Sequence, residues 1–250
     1  MVKVSHLCGL NKPYGLLYGT KLHISTLNHM AYCMVLLNHM ELQSLTNIAV
    51  TQPHAALAAF THGLRHRWSF SMRTMRCLGD FLQPLESLIR HQFIPTLFGM
   101  NRDITDHERA LFALPCREGG LALDNPLLTA SRKWEDSTKF CSALKGLLIK
   151  QESKLDLDRE AQQKIKAEIR KGNRDFFKEA ADDLRSRLDD RAARVMDLAR
   201  EKVANAVFST LPLKRHGFAF AAKRDFRDLL CMRYDLPIPN LPQKCICGAA

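Results

Sequence analysis

Between positions 51 and 126 apolar residues return every three or four places, and each proline stands where a helix can begin, bend or stop. Such a pattern restricts the stretch to an array of α-helices. Pro53 suits a first helical turn, where its missing N–H would be unpaired anyway. The helix it opens is predicted to reach about Met75, turning Leu57, Phe60, Leu64, Trp68, Met72 and Met75 towards a core. After a break at Gly79-Asp80, a second stripe runs from Phe81 to Leu97, with Pro84 in its first turn and Pro95 ending or kinking it. Thr105 and Glu108 have the spacing of a capping box, and the helix they start should stop before Pro115. Gly119-Gly120 reads as a tight turn, leading into a short strand at 121–123. Asn125-Pro126 is an N-cap with a first-turn proline, opening a helix predicted to last to about Gln151.

The flanks are less uniform. Residues 1–40, rich in Leu, Met, His and Asn, form a leader of unknown role, although 24–42 could make one apolar helix. Leu42, Leu45, Ile48 and Ala49 share one helical face just before Thr51. Residues 157–208 interleave charges of both signs with a recurring apolar stripe, and predict one very long amphipathic helix or a pair broken at Gly172-Asn173. A further helix is predicted up to Tyr234, followed by a proline-rich end. The fold expected is therefore mainly α. A helical bundle-like region over 41–151 precedes a long charged helix over 152–210 and a basic C-terminal region over 211–250 with one short helix. At most one small β-hairpin is expected.

With 37 Lys and Arg against 26 Asp and Glu, the net charge is +11, which favours polyanionic partners. Residues 151–207 hold 14 basic and 13 acidic side chains, so the other 23 and 13 supply +10 of the excess. No run of 18 apolar residues occurs, no membrane partner is expected, and the N-terminus has no clean signal-peptide core; the chain reads as intracellular. Its eight cysteines do not suggest a disulfide framework. The two that cluster, Cys245 and Cys247, could supply half of a tetrahedral zinc site. His6, His23, His29 and His39 share no metal-ligand spacing.

No phosphate loop, zinc-protease or nucleophile-elbow motif is present. Ala181-Asp182-Asp183 superficially matches a polymerase metal motif, which needs carboxylates on a strand hairpin to hold two divalent ions. Here it lies among helix formers, so a solvated helix face is expected, as it is for Asp189-Asp190. On the helix from Pro53, His62, Arg65, His66, Arg67, Arg73 and Arg76 fall mostly away from the apolar stripe. Such a face can hold phosphates through paired guanidinium donors, or it can simply be solvated.

Several ordered segments carry a resemblance. TQPHAALAAFTHGLRHRWSF, FLQPLESLIRHQFIPTL and ALFALPCREGGLAL, followed by LPLKRHGFAF, FRDLLCMRYDLP and LPQKCICGA, resemble the region after the palm in reverse transcriptases of animal retrotransposons. By that resemblance residues 41–151 correspond to a helical thumb that grips a template–primer duplex, and Cys245-Ile246-Cys247 to the first half of a zinc-knuckle-like motif. The fingers and palm are not matched. The chain is thus expected to be a fragment of an RNA-directed DNA polymerase, inactive by itself. Mg²⁺ is expected only for an intact polymerase and Zn²⁺ only for a completed knuckle. The partner implied is RNA or DNA, gripped by Arg65, His66, Arg67, Arg73 and Arg76, with Lys214, Arg215, Lys223 and Arg224 as a second basic patch. A different class of reading makes the 157–208 helix a protein-interaction module that self-associates.

Overall fold

The computed structural model describes residues 20–76, 78–149, 159–209 and 223–238, and every regular element among them is helical. Helix α1 (Thr20–Thr51) runs without interruption through the composition change at position 40. It buries Val35, Leu42, Leu45 and Ala49, whereas Ile48 lies outward beside the stripe that 42, 45 and 49 already complete. The helix predicted from Pro53 is present as α2 (Pro53–Ala59), a π turn (Phe60–Leu64) and α3 (Arg65–Thr74). Its Phe60 stacks on Phe93 at 5.1 Å and meets Trp68 edge-on at 5.5 Å.

A 3₁₀ turn (Gly79–Leu82) leads into α4 (Gln83–Leu88), a second π turn (Ile89–Phe93) and α5 (Ile94–Phe98). Pro95 does not end this helix. It occupies the first turn of α5 directly after the π turn, where the changed hydrogen-bond register takes up a residue that cannot donate. The stop comes at Gly99, whose φ of 73° places it in the left-handed region. Helix α6 (Asp106–Ala113) starts in the predicted capping box. Glu108 N–H donates to Thr105 Oγ1 at 3.2 Å, and Thr105 N–H donates to Glu108 Oε2 at 2.9 Å.

The strand expected at 121–123 does not form. After a 3₁₀ turn (Cys116–Glu118), the N–H groups of Leu121 and Leu123 donate to the Phe112 carbonyl, and that of Ala122 donates to Leu114 O. These donors satisfy the open C-terminal carbonyls of α6, so none is left for a partner strand. The two glycines have separate duties. Gly119 takes φ of 88°, and a Cβ on Gly120 would lie 2.0 Å from Leu114 O.

Asn125 Oδ1 accepts Leu127 N–H at 2.9 Å and starts α7 (Pro126–Ile149), as its sequence predicts. The break expected at Gly172-Asn173 is absent: α8 (Arg159–Arg187) passes straight through it. Tertiary contact overrides local preference there, because a Cβ on Gly172 would come 3.2 Å from Arg132 Nη2 and Asn173 is hydrogen-bonded to α7. The real break falls at Asp189, whose carboxylate accepts Ala192 N–H at 2.7 Å and caps α9 (Asp190–Ala199). Asp189 is thus an N-cap and not part of a solvated helix face. Helices α10 (Lys202–Ser209) and α11 (Lys223–Arg233) complete the described chain.

One apolar core joins these elements, from Val35 of α1 to Phe208 of α10 and Phe226, Leu230 and Tyr234 at α11. The composition change at 40 does not interrupt this core, since Val35 and Leu42 of α1 both belong to it. Arg227 of α11 binds the carbonyls of Ala49 and Thr96 at 3.1 and 2.9 Å, closing the ends of α1 and α5 together. A smaller cluster, Leu114, Ala181, Leu184 and Met196, seats α8 and α9 against α6.

A charged pair lies within this packing. Arg109 Nε and Nη2 donate to the two oxygens of Glu86 at 2.6 and 2.7 Å, with the side chains 4% and 8% exposed. Arg109 Nη1 also donates to Leu123 O at 2.8 Å. Removing one member of such a pair strands a buried charge, at a cost of about 3–5 kcal/mol. Arg109→Met is expected to lower the unfolding free energy by that amount in urea titration. Adding Glu86→Leu should recover part of the loss, leaving the deficit of about 1–3 kcal/mol for an unpaired Leu123 carbonyl. A single-variant loss below about 1 kcal/mol would show that the pair does not hold the fold as described.

Candidate functional site

Arg65, His66, Ser69 and Arg73 recur at helical spacing on one side of α3 and open onto a cleft of about 710 Å³. Lys133 of α7 and Arg170 and Arg174 of α8 line the same cleft, and Arg117 stands on its loop wall. Among the described residues Asp124 is the one carboxylate lining it. Lys133 fixes the junction of the walls, with Nζ donating to Asp124 Oδ2 at 2.8 Å and to Ser69 Oγ at 2.9 Å. Arg65 Nη1 donates to Ala122 O at 3.2 Å, at a residue held in the left-handed region with φ of 56°.

The α8 wall is held by a clamp that carries no net excess of charge. Asn173 accepts from Arg132 Nε at 2.8 Å and donates from Nδ2 to Asp136 at 2.7 Å. Arg132 lies over the Phe176 ring at 4.6 Å. On either side of Asn173, Arg170 and Arg174 are exposed and form no ion pair among the described residues; Arg73 is the same. A second hollow continues the cleft past Arg73, Lys133 and Arg170 to Lys166 and Phe140. The result is a continuous cationic groove between α3, α7 and α8.

The field of that groove acts on its histidine. Burial holds the His66 imidazole below its ordinary 6.5, and Arg65, Lys133 and Arg73 push it in the same direction while Asp124 opposes them. Burial likewise raises the Cys116 thiol, with Arg233 and Arg65 opposing. An anion placed in the groove relieves the crowding of like charges, as neighbouring guanidinium and ammonium groups repel until a polyanion is shared between them.

Of the residues predicted to contact nucleic acid, Arg65, His66 and Arg73 come together here. Arg67 does not: it lies away from the cleft and pairs with Glu41 of α1. Arg76 borders a separate hollow beside Trp134 and Glu135. Lys223 and Arg224 are exposed at the start of α11, and Arg224 stands 3.5 Å from Asp228 one turn on. Lys214, Arg215, Cys245 and Cys247 lie outside the described residues. Arg117, Lys133, Lys166, Arg170 and Arg174 were not singled out in the sequence. For three of them a signal existed, since 166, 170 and 174 repeat every fourth residue along one side of α8.

Asp182 and Asp183 sit on α8, with no strand among the described residues, and pair with Arg200 at 3.1 Å and Arg187 at 2.5 Å. Among the described residues no three His, Cys, Asp or Glu side chains converge as metal ligands, and no helix is long and apolar enough to cross a membrane. Comparison with protein-family models, curated proteins and solved structures returned no match.

Since the folded state holds His66 below its unfolded value, folded chains bind fewer protons than unfolded ones just below pH 6.5. Stability supported by neutral His66 should therefore fall as the pH drops through that window. In an NMR titration the His66 ring is expected to protonate below pH 6.5, and above that midpoint once inorganic polyphosphate is added. A midpoint unmoved by polyphosphate would place the anion elsewhere.

Proposed function

We propose that this chain is a non-catalytic, helical nucleic-acid-binding module whose α3–α7–α8 groove grips the phosphate backbone of RNA or DNA. The observation that carries the reading is the convergence of Arg65, Arg73, Arg117, Lys133, Arg170 and Arg174 around one cleft, where the one carboxylate among the described lining residues, Asp124, is already paired. Guanidinium groups give phosphate oxygens two parallel donors, and the groups come from a loop and three different helices, as gripping a curved polyanion requires. The resemblance to the post-palm region of retroelement reverse transcriptases points to the same partner, and makes the module a thumb-like part of an RNA-directed DNA polymerase. The intact enzyme would use Mg²⁺ on residues outside this match; Zn²⁺ would belong to a completed motif at Cys245 and Cys247.

The reading of α8 as a self-association surface draws less support. Its stripe packs inward through Ala181 and Leu184, with Phe176 and Phe177 half-buried, and Leu198 of α9 is the large apolar side chain of this region exposed among the described residues.

Fluorescence anisotropy with labelled oligonucleotides tests the proposal. For about four phosphate contacts, affinity should fall on the order of a hundredfold between about 50 and about 200 mM salt. Arg73→Glu with Arg170→Glu, at two exposed positions, should weaken binding at low salt by at least about tenfold, each lost contact also flattening the salt slope. Binding that ignores both salt and this double variant would refute the proposal.

A further inference from the structure

The groove carries an aromatic ring that phosphate binding alone does not use. Phe140 of α7 is 38% exposed, and it lines the extension of the cleft together with Arg73, Lys133, Lys166 and Arg170, against one carboxylate, Asp136, which accepts from Asn173. A large apolar side chain normally avoids such company: four cations keep water close, and the ring does not belong to either buried core cluster. Ile169 of α8 lines the same hollow and adds apolar surface to it.

From this pairing we infer that the groove selects single-stranded nucleic acid, with an unpaired base stacked on Phe140 and its flanking phosphates held by Arg73, Lys166 and Arg170. The inference rests on the phosphate-gripping part of the reading above and adds the substrate class, a single strand where the resemblance to a thumb implies a template–primer duplex. In a duplex each base has both faces covered by its neighbours, so a duplex can offer the groove phosphates but no free base face. A single strand offers both. Base–aromatic stacking beside a cationic track is the usual means by which single strands are bound without regard to sequence. The free energy of exposing Phe140 is then recovered when a base covers it.

The test is equilibrium binding of the full chain to oligo(dT), oligo(U) and a blunt DNA duplex of equal length, at one low salt concentration. At least one of the two single strands is expected to bind about tenfold tighter than the duplex, the margin that one stacked base supplies. The two single-stranded arms separate DNA from RNA as the source of the base. Phe140→Leu keeps an apolar side chain but removes the stacking face, and should bring the single-strand affinity down to that of the duplex. Phe140→Trp should preserve the preference and guards against a trivial folding defect. Equal affinity for duplex and single strands in the unaltered chain, or a preference untouched by Phe140→Leu, would overturn this inference while leaving phosphate binding intact. Failure of all three ligands to bind would instead remove the reading on which it rests.

Discussion

A guanidinium as deeply buried as that of Arg109 is tolerated only while its charge and donors are engaged, and the way it is engaged organises the cleft. Two of its nitrogens hold Glu86 of α4, and a third holds the Leu123 carbonyl. That one side chain therefore fixes α6 to α4 and fixes the loop after α6 to both. The next residue along, Asp124, receives Lys133 from α7, and Lys133 in turn reaches Ser69 of α3. Loss of the buried pair would release first the loop that carries Asp124.

The groove is a compromise between crowding and spacing. Its cations come from separate elements: Arg65 is anchored to Ala122 O and Lys133 to Asp124, while Asn173 holds to α7 the stretch of α8 that carries Arg170 and Arg174. The lowered basicity of His66 comes first from burial, with the repulsion of Arg65, Lys133 and Arg73 adding to it and Asp124 opposing. A site of this kind binds weakly to single anions and strongly to a chain of them, because the gain rises with every phosphate that displaces a counterion.

Helix existence was legible wherever periodicity and punctuation agreed, as from Pro53 to Met75, at the Thr105–Glu108 box and at Asn125-Pro126. It failed where a long-range contact decided the outcome. Gly172-Asn173 reads as a breaker locally, yet both residues serve the approach of α8 to Arg132 and Asp136. Residues 121–123 alternate like a strand, yet their N–H groups are taken by the end of α6. Charge summed along the chain misled in a similar way. Residues 151–207 are nearly neutral overall, but Lys166, Arg170 and Arg174 are gathered on the groove, while Asp182, Asp183 and Asp197 pair with arginines elsewhere. Conversely, Arg67 lies in a basic run and is neutralised by Glu41, a partner 26 positions away (67 − 41) that no local pattern announces.

A nucleic acid held by the groove must touch α3, the loop after α6 and α8 at once. Hydrogen–deuterium exchange of the full chain, with and without a saturating oligonucleotide, reads this directly. New protection is expected in three separated stretches, around residues 65–73, 116–124 and 166–174, with α9 and α11 unchanged. Protection confined to α11, or the absence of any change in α8, would contradict it.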